Sequence, residues 1–292
     1  MSDTAAGGGR LFIVATPIGN LGDVTLRALE VLRDVPLIAA EDTRLSRRLL
    51  DRHGIATRTV SYHARSGSGR LTELLDHLRS GADLAIVTDA GTPGVSDPGS
   101  ELVAAWAGEG GTVVPIPGPS AVLAAVVASG VAGPRWSFEG FLPRTGRDRS
   151  ERIARIAADE RGSVLYEAPG RVAATLRDLA AACGPDRPGA ICRELTKIHE
   201  EVVRGSLAEL AERAADGRLT LRGEFVIVVG AGEATAGSGT AAAGAARAAL
   251  DAALAEVERL VASGTHRGDA ARQVSAATGI PRRRLYEPPA GS

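Results

Sequence analysis

The chain has 292 residues, 44% of them hydrophobic, enough to bury a sizeable core in one large or two compact domains. Its 34 Lys and Arg residues are balanced by 35 Asp and Glu residues, so no overall positive charge attracts it to nucleic acid, and any RNA contact has to use local basic patches. The two cysteines, Cys183 and Cys192, lack the spacing of a metal or redox site, and we expect them to be reduced thiols in the core.

The amino terminus, MSDTAAGGGR, has no apolar stretch of the kind that a secretory signal requires. The apolar run over residues 121–131 is far shorter than the roughly 20 residues of a membrane-spanning helix. We therefore expect a cytoplasmic protein without membrane contacts. Residues 1–9 are small, polar and Gly-rich, which predicts a disordered tail.

From Leu11 onward, short β-branched runs alternate with segments of helical period. The first series predicts strands within residues 11–16, 36–42, 57–63, 83–91 and 112–118. It predicts helices within residues 25–35, 44–54, 70–80, 100–110 and 120–130. This alternation indicates an α/β fold with crossover connections and a mainly parallel sheet.

Gly133 and Pro134 interrupt this pattern, and a second α/β series follows them. Its predicted strands lie within residues 136–143, 163–169, 189–195, 200–206 and 224–232. Its predicted helices lie near residues 171–183 and 207–215. We therefore expect an N-terminal α/β domain over residues 10–133 and a C-terminal α/β domain over residues 134–232.

The segment after the second series changes composition. Residues 233–246 are almost entirely Ala, Gly, Ser and Thr, which is typical of a flexible linker. Residues 247–287 carry helical signals and end in two short predicted helices, broken at Gly279 and Pro281. We expect a small helical module here.

Three of the predicted strand ends are unusually rich in Gly and Pro. They are TPIGNLGD (16–23), TDAGTPGVSDPG (88–99) and PIPGPSA (115–121). Each could be an ordinary loop, because Gly and Pro interrupt chains everywhere. Since ligands of open parallel sheets bind at the carboxyl ends of the strands, three such loops at one edge predict a cofactor site. Glycine there lets the backbone approach a ligand closely.

Missing motifs narrow the choice of cofactor. The chain has no GxxxxGK[ST] for a nucleoside triphosphate, and its first strand lacks the GxGxxG of a dinucleotide site. The acidic side chains Asp23, Asp89 and Asp97 favour a ligand with positive charge and an amine. S-adenosylmethionine fits this description.

Eight ordered sequence blocks resemble those of the ribosomal RNA small subunit methyltransferase I family. They are ATPIGNLGDVTLRA, EDTR, TDAGTPGVSDPG, PIPGPSA, FEGFLPR, LYEAPGR, RELTKIHEE and GEFVIVV. The resemblance extends over residues 11 to about 230, and HRGDAARQVSAATGIPRRRLYE is similar to that family's small C-terminal helical module. One departure is Gly170, where the family often has His before Arg.

The resemblance implies the two-domain tetrapyrrole-methylase (class III methyltransferase) fold with a small helical C-terminal module. It implies transfer of a methyl group from S-adenosylmethionine to the 2′-hydroxyl of a cytidine in the decoding region of 16S rRNA, within the 30S particle, by a homodimer. The sequence offers no HExxH or Cys/His cluster, and the reaction needs no metal. We expect the cofactor to contact Pro17, Thr88, Asp89, Gly91, Val95, Ser96, Asp97, Ser120, Ala121 and Tyr166.

A ribose hydroxyl reacts only when its proton leaves, so we expect a proton acceptor near the cleft. Candidates at the strand ends are Glu41, Asp42, His63, Glu167, Glu194 and Lys197. Alternatively, His63 is a hydrogen-bonded structural residue, Asp42 caps the next helix, and Lys197 contacts phosphate. The sequence does not choose among them.

RNA contacts are expected from arginines beside the cleft, because the guanidinium group pairs with phosphate. The candidates are Arg44, Arg47, Arg48, Arg144, Arg147, Arg149 and Arg171. Any single one could equally be a solvated surface charge. Residues 282–284, all arginines, either grip RNA or belong to a folding cap or partner contact.

Two other functions stay open on the sequence. One is an enzyme of the same fold that methylates a tetrapyrrole ring or the modified histidine of elongation factor 2, which would not need an Arg-rich rim. The other is a non-catalytic RNA-binding assembly factor, which would have little reason to keep three Gly/Pro loops.

Overall fold

The computed structural model describes residues 8–232, 250, 252–278, 280–282 and 285. The chain divides into two compact units, residues 1–231 and 232–292. The predicted linker, residues 233–246, and the predicted helix break at Gly279 lie outside the described residues.

The fold begins earlier than the sequence predicts. The N–H of Gly9 donates a hydrogen bond to the carbonyl of Leu78, 2.7 Å away. A Cβ at Gly9 would lie 2.0 Å from the carbonyl oxygen of Ala82, so the backbone itself is packed here. The predicted disordered tail is therefore too long at its carboxyl end, because Gly9 already belongs to the first unit.

The first sheet is parallel throughout and has the strand order β3-β2-β4-β1-β5. Its strands are β1 (Leu11–Val14), β2 (Leu37–Ala40), β3 (Arg58–Ser61), β4 (Leu84–Val87) and β5 (Val113–Ile116). Strands β2 and β4 are buried at every position, which explains their continuous apolar sequence. The predicted parallel sheet is confirmed in this half of the chain.

Four helices connect these strands, and a fifth follows the last strand. They are α1 (Leu26–Asp34), α2 (Thr43–Arg52), α3 (Ser68–Arg79), α4 (Ser100–Gly108) and α5 (Ala121–Ser129). One buried cluster on this sheet includes Leu32, Ile38 and Leu50. A separate cluster includes Leu78 and Leu102. The sheet therefore has an apolar core on each face.

The second sheet is mixed, with the strand order β6-β7-β10-β8-β9. Its strands are β6 (Trp136–Phe141), β7 (Gly162–Glu167), β8 (Pro188–Arg193), β9 (Glu201–Ser206) and β10 (Phe225–Val229). Only β6 and β7 pair in parallel; β10 runs antiparallel to both of its neighbours, and β8 is antiparallel to β9. Its helices are α6 (Arg147–Ala158), α7 (Val172–Cys183) and α8 (Leu207–Ala215).

Helix α5 connects the two halves of the first unit. Its residues Val122 and Ala125 share a buried cluster with Val164, Cys192 and Val226 of the second sheet. The helix is almost wholly apolar, as expected for a helix that packs on more than one side. The last helix of the first series therefore packs against the second sheet.

The second unit contains two described helices, α9 over residues 252–262 and α10 (Arg267–Thr278). Val257 of α9 and Ala270 and Val274 of α10 belong to one buried cluster. Across the described ranges of the chain, no helix is both long and apolar enough to cross a membrane. In the first unit, Cys183 and Cys192 are free thiols, and Cys192 is buried.

Candidate active site

A cleft of about 220 Å³ lies where the Gly/Pro loops meet the second sheet. Seven of the ten residues that the sequence predicts for the cofactor line it: Gly91, Val95, Ser96, Asp97, Ser120, Ala121 and Tyr166. Five lining residues were not predicted: Ile18, Ala90, Thr92, Phe141 and Glu224. We call this cavity the cleft.

Hydrogen bonds join the loops that form the cleft. Thr16 and Gly91 exchange two backbone hydrogen bonds, of 2.9 and 3.0 Å. The Thr16 hydroxyl also donates to the carbonyl of Thr88 at 3.0 Å, and the Thr92 hydroxyl donates to the carbonyl of Pro119 at 3.3 Å. The loops after β1, β4 and β5 therefore form one connected wall. Gly91 holds a φ of +84°, a backbone conformation that favours glycine.

The other three predicted cofactor residues, Pro17, Thr88 and Asp89, line a separate cavity of about 60 Å³. Its remaining walls are mostly apolar and include Leu45 and Leu49 of α2. The hydroxyl of Thr88 is buried, with no hydrogen-bond partner among the described residues. The structure thus separates these three residues from the seven that line the cleft.

The carboxyl groups of Glu41, after β2, and Asp89, after β4, lie close to that of Asp97, in the loop before α4. The N–H of Asp89 donates to Glu41 at 3.3 Å, and Asp89 accepts a 2.9 Å hydrogen bond from the N–H of Asp42. Burial raises the pKa of Glu41 and of Asp89 above their ordinary values. For Asp97, burial and the negative charges of Glu41 and Asp89 together raise the pKa to about 7.

Asp42 caps helix α2. Its side chain accepts a 2.8 Å hydrogen bond from the N–H of Arg44, and it also forms an ion pair with the Arg44 side chain at 3.5 Å. The backbone hydrogen bond lowers the pKa of Asp42 below its ordinary value. Because the carboxylate is held in its charged form by the helix terminus, Asp42 is poorly suited to accept a proton.

His63 lies in a different cavity, of about 160 Å³, which we call the side cavity. Its walls come from the loop after β3 and the start of α4: Tyr62, His63, Ala64, Ser66, Asp97, Pro98, Gly99, Ser100 and Glu101. The ring nitrogen Nδ1 of His63 lies 3.2 Å from the N–H of Arg65, which donates to it. Asp97 lines both the cleft and the side cavity.

Lys197 forms ion pairs with Glu194 at 2.8 Å and with Glu224 at 3.1 Å. Burial lowers the pKa of Lys197, but its hydrogen bonds to Glu194 and Glu224 outweigh burial and raise it overall. The hydrogen bond from Lys197 is also the largest cause that lowers the pKa of Glu194. Lys197 is therefore a cation near neutral pH, and the structure does not favour it or Glu194 as proton acceptor.

Glu167 is an interior structural residue. It is 2% exposed and accepts a 2.6 Å hydrogen bond from the Thr175 hydroxyl. Arg171 pairs with it at 3.1 Å and donates to the carbonyl of Leu142 at 2.7 Å. The structure therefore does not favour Glu167 as the proton acceptor or Arg171 as an RNA contact, because the two side chains pair with each other and with groups inside the second half of the unit.

The remaining predicted RNA contacts differ in exposure. The side chain of Arg44 is 91% exposed and that of Arg147 is 88% exposed, although Arg147 pairs with Glu151 at 2.5 Å. Arg47 is 37% exposed and forms an ion pair with Asp51 at 3.9 Å. Residues 48 and 144, also arginines, are exposed. Arg149 is 12% exposed and pairs with Asp178, so it is not free to reach a phosphate.

The backbone of the loop after β8 is strained. Glu194 and Thr196 have φ values of 51° and 68°, although neither is glycine. A Cβ at Gly19, in the loop after β1, would lie 2.4 Å from the Cγ of Lys197. The loop after β8 is therefore packed directly against a loop of the first sheet. These two loops carry the sequence blocks TPIG and RELTK. Neither block alone indicates that the two loops pack against each other.

Comparison with known proteins identifies the family. A model of the tetrapyrrole (corrin/porphyrin) methylases matches residues 10–211. A ribosomal RNA small subunit methyltransferase I from Synechocystis sp. is 44% identical over 279 residues, which is 96% of this chain and 96% of that protein. A Mycobacterium bovis protein of the same name is 45% identical over 283 residues, 96% of this chain and 94% of its own. The chain belongs to the ribosomal RNA small subunit methyltransferase I family.

A solved structure shows the fold of the family. Uroporphyrin-III C-methyltransferase from Thermus thermophilus, in complex with S-adenosylhomocysteine, aligns with a TM-score of 0.55 and 21% identity. The alignment covers 76% of this chain and 97% of that one. The predicted tetrapyrrole-methylase fold is therefore confirmed.

Proposed function

We propose that this chain transfers a methyl group from S-adenosylmethionine to the ribose 2′-hydroxyl of a cytidine in the decoding region of 16S rRNA. The observation that carries this proposal is the match over 96% of the chain to a ribosomal RNA small subunit methyltransferase I. The cleft of about 220 Å³ formed by the Gly/Pro loops supports it.

The residues of the cleft fit the proposed cofactor. Ile18, Phe141 and Tyr166 supply apolar and aromatic surface, and Asp97 and Glu224 supply carboxyl groups for a ligand with an amine and a sulfonium charge. A Cβ at Gly91 would make only an ordinary contact with Ile18, at 3.5 Å, so glycine is favoured here by its φ of +84° rather than by lack of space. When bound, S-adenosylmethionine supplies an activated methyl group.

We propose that the cofactor contacts the ten residues predicted from the sequence, seven in the cleft and three in the separate small cavity. The protein's main task is to align the acceptor oxygen with the methyl carbon and to keep water away. Glu41 and His63 stay in our proposed set of proton acceptors, and we add Asp97, which lines both the cleft and the side cavity. The RNA would be held by arginines near these loops: the exposed Arg44, Arg144 and Arg147 and the partly exposed Arg47.

The proposed substrate is the 30S particle, which would place the enzyme in the cytoplasm. We also propose a homodimer, as the resemblance implies. Leu123 and Val127 of α5 lie four residues apart, on one helix face, and are 56% and 82% exposed. Apolar side chains at this spacing suit a two-fold interface, the commonest arrangement of soluble oligomers. Light scattering at micromolar concentration tests it, and a monomer mass would contradict it.

The experiment that tests the function uses 30S particles from a strain that lacks the gene. These particles are incubated with the protein and labelled S-adenosylmethionine, and the modified nucleotide is mapped. We expect one 2′-O-methylated cytidine in 16S rRNA. Label on a base, or no transfer from a protein that binds the cofactor by calorimetry, would contradict the proposal. A protein that binds RNA but not cofactor would instead be an assembly factor.

A further inference from the structure

The side cavity adjoins the cleft through a single residue. Among the residues that line the two cavities, only Asp97 belongs to both. The side cavity is about 160 Å³, several times the roughly 30 Å³ that one water molecule occupies in the liquid, so it has room for a ring-sized group. A ligand in the side cavity and a ligand in the cleft would therefore meet at Asp97.

The groups that line the side cavity suit a nucleoside. Ser100 carries a hydroxyl that can bond ribose or base edges, and the Ser66 hydroxyl, which accepts the N–H of His63 at 2.9 Å, can form a further hydrogen bond. The carboxylate of Glu101 can accept from an exocyclic amine such as cytosine N4. His63 is exposed and offers a ring on which an unstacked base can lie. These are the kinds of contact with which proteins recognise a single nucleotide separated from its stack.

Exposed arginines lie on the loop of this cavity and at the carboxyl end of β2, where they could contact an RNA backbone. Arg65 is exposed on the loop that forms one wall, and Arg44 is exposed at the start of α2, next to Glu41 and the end of β2. Phosphates on either side of an extruded nucleotide would meet such groups. The sequence did not single out Arg65, because one arginine in a loop carries no pattern.

Resting on the proposed function, we propose that the side cavity receives the target nucleotide, turned out of the RNA, and that Asp97 accepts the proton of its 2′-hydroxyl. A nucleotide must leave its stack to reach a buried reaction centre. The side cavity gives it a place next to the cleft, and Asp97 stands on the wall where the hydroxyl would arrive.

The proposed step balances in atoms and charge. The 2′-oxygen forms a bond to the methyl carbon while the carbon–sulfur bond breaks, and the bonding pair stays on sulfur. The hydroxyl O–H bond breaks, and the proton passes to the Asp97 carboxylate. The sulfonium charge is thus neutralised, the carboxylate becomes a carboxylic acid, and no oxidant or metal takes part.

The environment of Asp97 keeps its carboxyl close to the balance between protonated and charged forms. Burial and the neighbouring carboxylates raise its pKa to about 7. A nearby cation in the cleft would lower it and so favour the charged form that accepts a proton. The titratable groups that face it are Glu41, Asp89, His63, Glu101, Tyr166 and Glu224.

The first test narrows the side cavity without touching its polar groups. Ala64 lines the cavity and is exposed, so Ala64→Phe should fill part of it. The control is Ala107→Phe on the exposed surface of α4. The readout is the reactivity of the target cytidine N3 toward dimethyl sulfate in 30S particles. Wild type and Ala107→Phe should lower the reactivity of this atom several-fold, whereas Ala64→Phe should leave it unchanged. All three proteins should bind S-adenosylmethionine equally.

Equal protection by Ala64→Phe and wild type would overturn the assignment of the cavity. This outcome is distinct from failure of the proposed function, in which wild type would neither protect nor methylate any cytidine. Methylation by a wild type that gives no protection would also overturn the assignment, because the base would then not be covered by the walls of the side cavity.

The second test concerns Asp97 as proton acceptor. With wild type, the single-turnover rate at saturating 30S and cofactor should rise with pH and level off at about pH 7 or below. Asp97→Asn should lose this dependence and react about 10² to 10⁴-fold more slowly. An unaltered pH profile in Asp97→Asn would overturn the role. If only cofactor affinity fell, with the saturated rate retained, Asp97 would be a cofactor contact alone.

Discussion

The Nζ atom of Lys197 lies 3.1 Å from a carboxylate oxygen of Glu224, whose side chain lines the cleft. Glu194 lies on the other side of the ammonium group, 2.8 Å away. Two carboxylates therefore share one cation beside the proposed cofactor site. This arrangement explains a lysine at a strand end without giving it a role in proton transfer.

Replacing Lys197 with arginine should separate these two roles. Arginine keeps the positive charge but cannot accept a proton near neutral pH. We expect Lys197→Arg to retain methyl transfer to 30S particles within a few-fold, and Lys197→Met to lose about 1 kcal/mol of unfolding free energy because Glu194 and Glu224 would lack their counter-ion. Chemical denaturation and a single-turnover assay measure both. A rate loss above about 100-fold in a folded Lys197→Arg would restore Lys197 as proton acceptor.

The first sheet could be predicted from the sequence, whereas the second could be predicted only in part. Buried parallel strands such as β2 and β4 are apolar throughout, and their Gly/Pro ends mark the site. The sequence of the second half carries no comparable indication of strand direction, because alternating strands and helices do not determine which strands pair. Helix α6 was missed because its sequence is dominated by charged residues and buries only Ile153 and Ile156.

The residues of the site could likewise be predicted only in part. Gly91 and Asp97 could be identified because they lie in one motif at one strand end. Glu224 and Phe141 reach the cleft from the second sheet, more than 40 residues away along the chain, so only tertiary packing brings them there. The inward turn of Arg171 likewise depends on Glu167 and the carbonyl of Leu142, which sequence alone does not place beside it.

Gly91→Val should weaken cofactor binding, but it should also destabilise the fold. The φ of Gly91 is +84°, which a β-branched residue adopts only with strain of about 1 to 2 kcal/mol. Gly81 has a φ of +88° in a turn with no atom within 4 Å of its added Cβ, so Gly81→Val carries the same strain away from the cleft. By calorimetry only Gly91→Val should lose affinity for S-adenosylmethionine, by at least tenfold. Equal affinities in the two variants would remove Gly91 from the site.

Asp97→Asn should stabilise the protein at alkaline pH. The folded-state pKa of about 7 lies above the roughly 3.9 of an unfolded aspartate, so wild-type stability falls as the pH rises through this window. At pH 8 we expect the variant to be about 1 to 2 kcal/mol more stable, less than the full shift implies, because solvent screens a partly exposed carboxylate. The difference should vanish toward pH 4.

Urea denaturation at a series of pH values measures this effect. The control is Asp186→Asn, which removes an exposed carboxylate in the turn between α7 and β8 and should change stability by less than about 0.5 kcal/mol at any pH. An Asp97→Asn variant that is less stable than wild type at pH 8 would show that the carboxylate is stabilised by contacts rather than destabilised by burial.

The exposed arginines and the cleft should be separable in binding experiments. The double variant Arg44→Ala, Arg144→Ala removes two exposed cations from the first turn of α2 and from the loop after β6. If both contact phosphates, the slope of log affinity for 30S particles against log salt should become shallower by between one and two, because fewer counterions are released. Cofactor affinity should not change. The matched control is Arg33→Ala, Arg58→Ala, two exposed arginines in the last turn of α1, just before β2, and at the first residue of β3, opposite the loops. If the two double variants show the same salt slope as wild type, Arg44 and Arg144 are solvated surface charges, and the RNA contacts have to be sought at Arg65 beside the side cavity and in the arginines at residues 282–284.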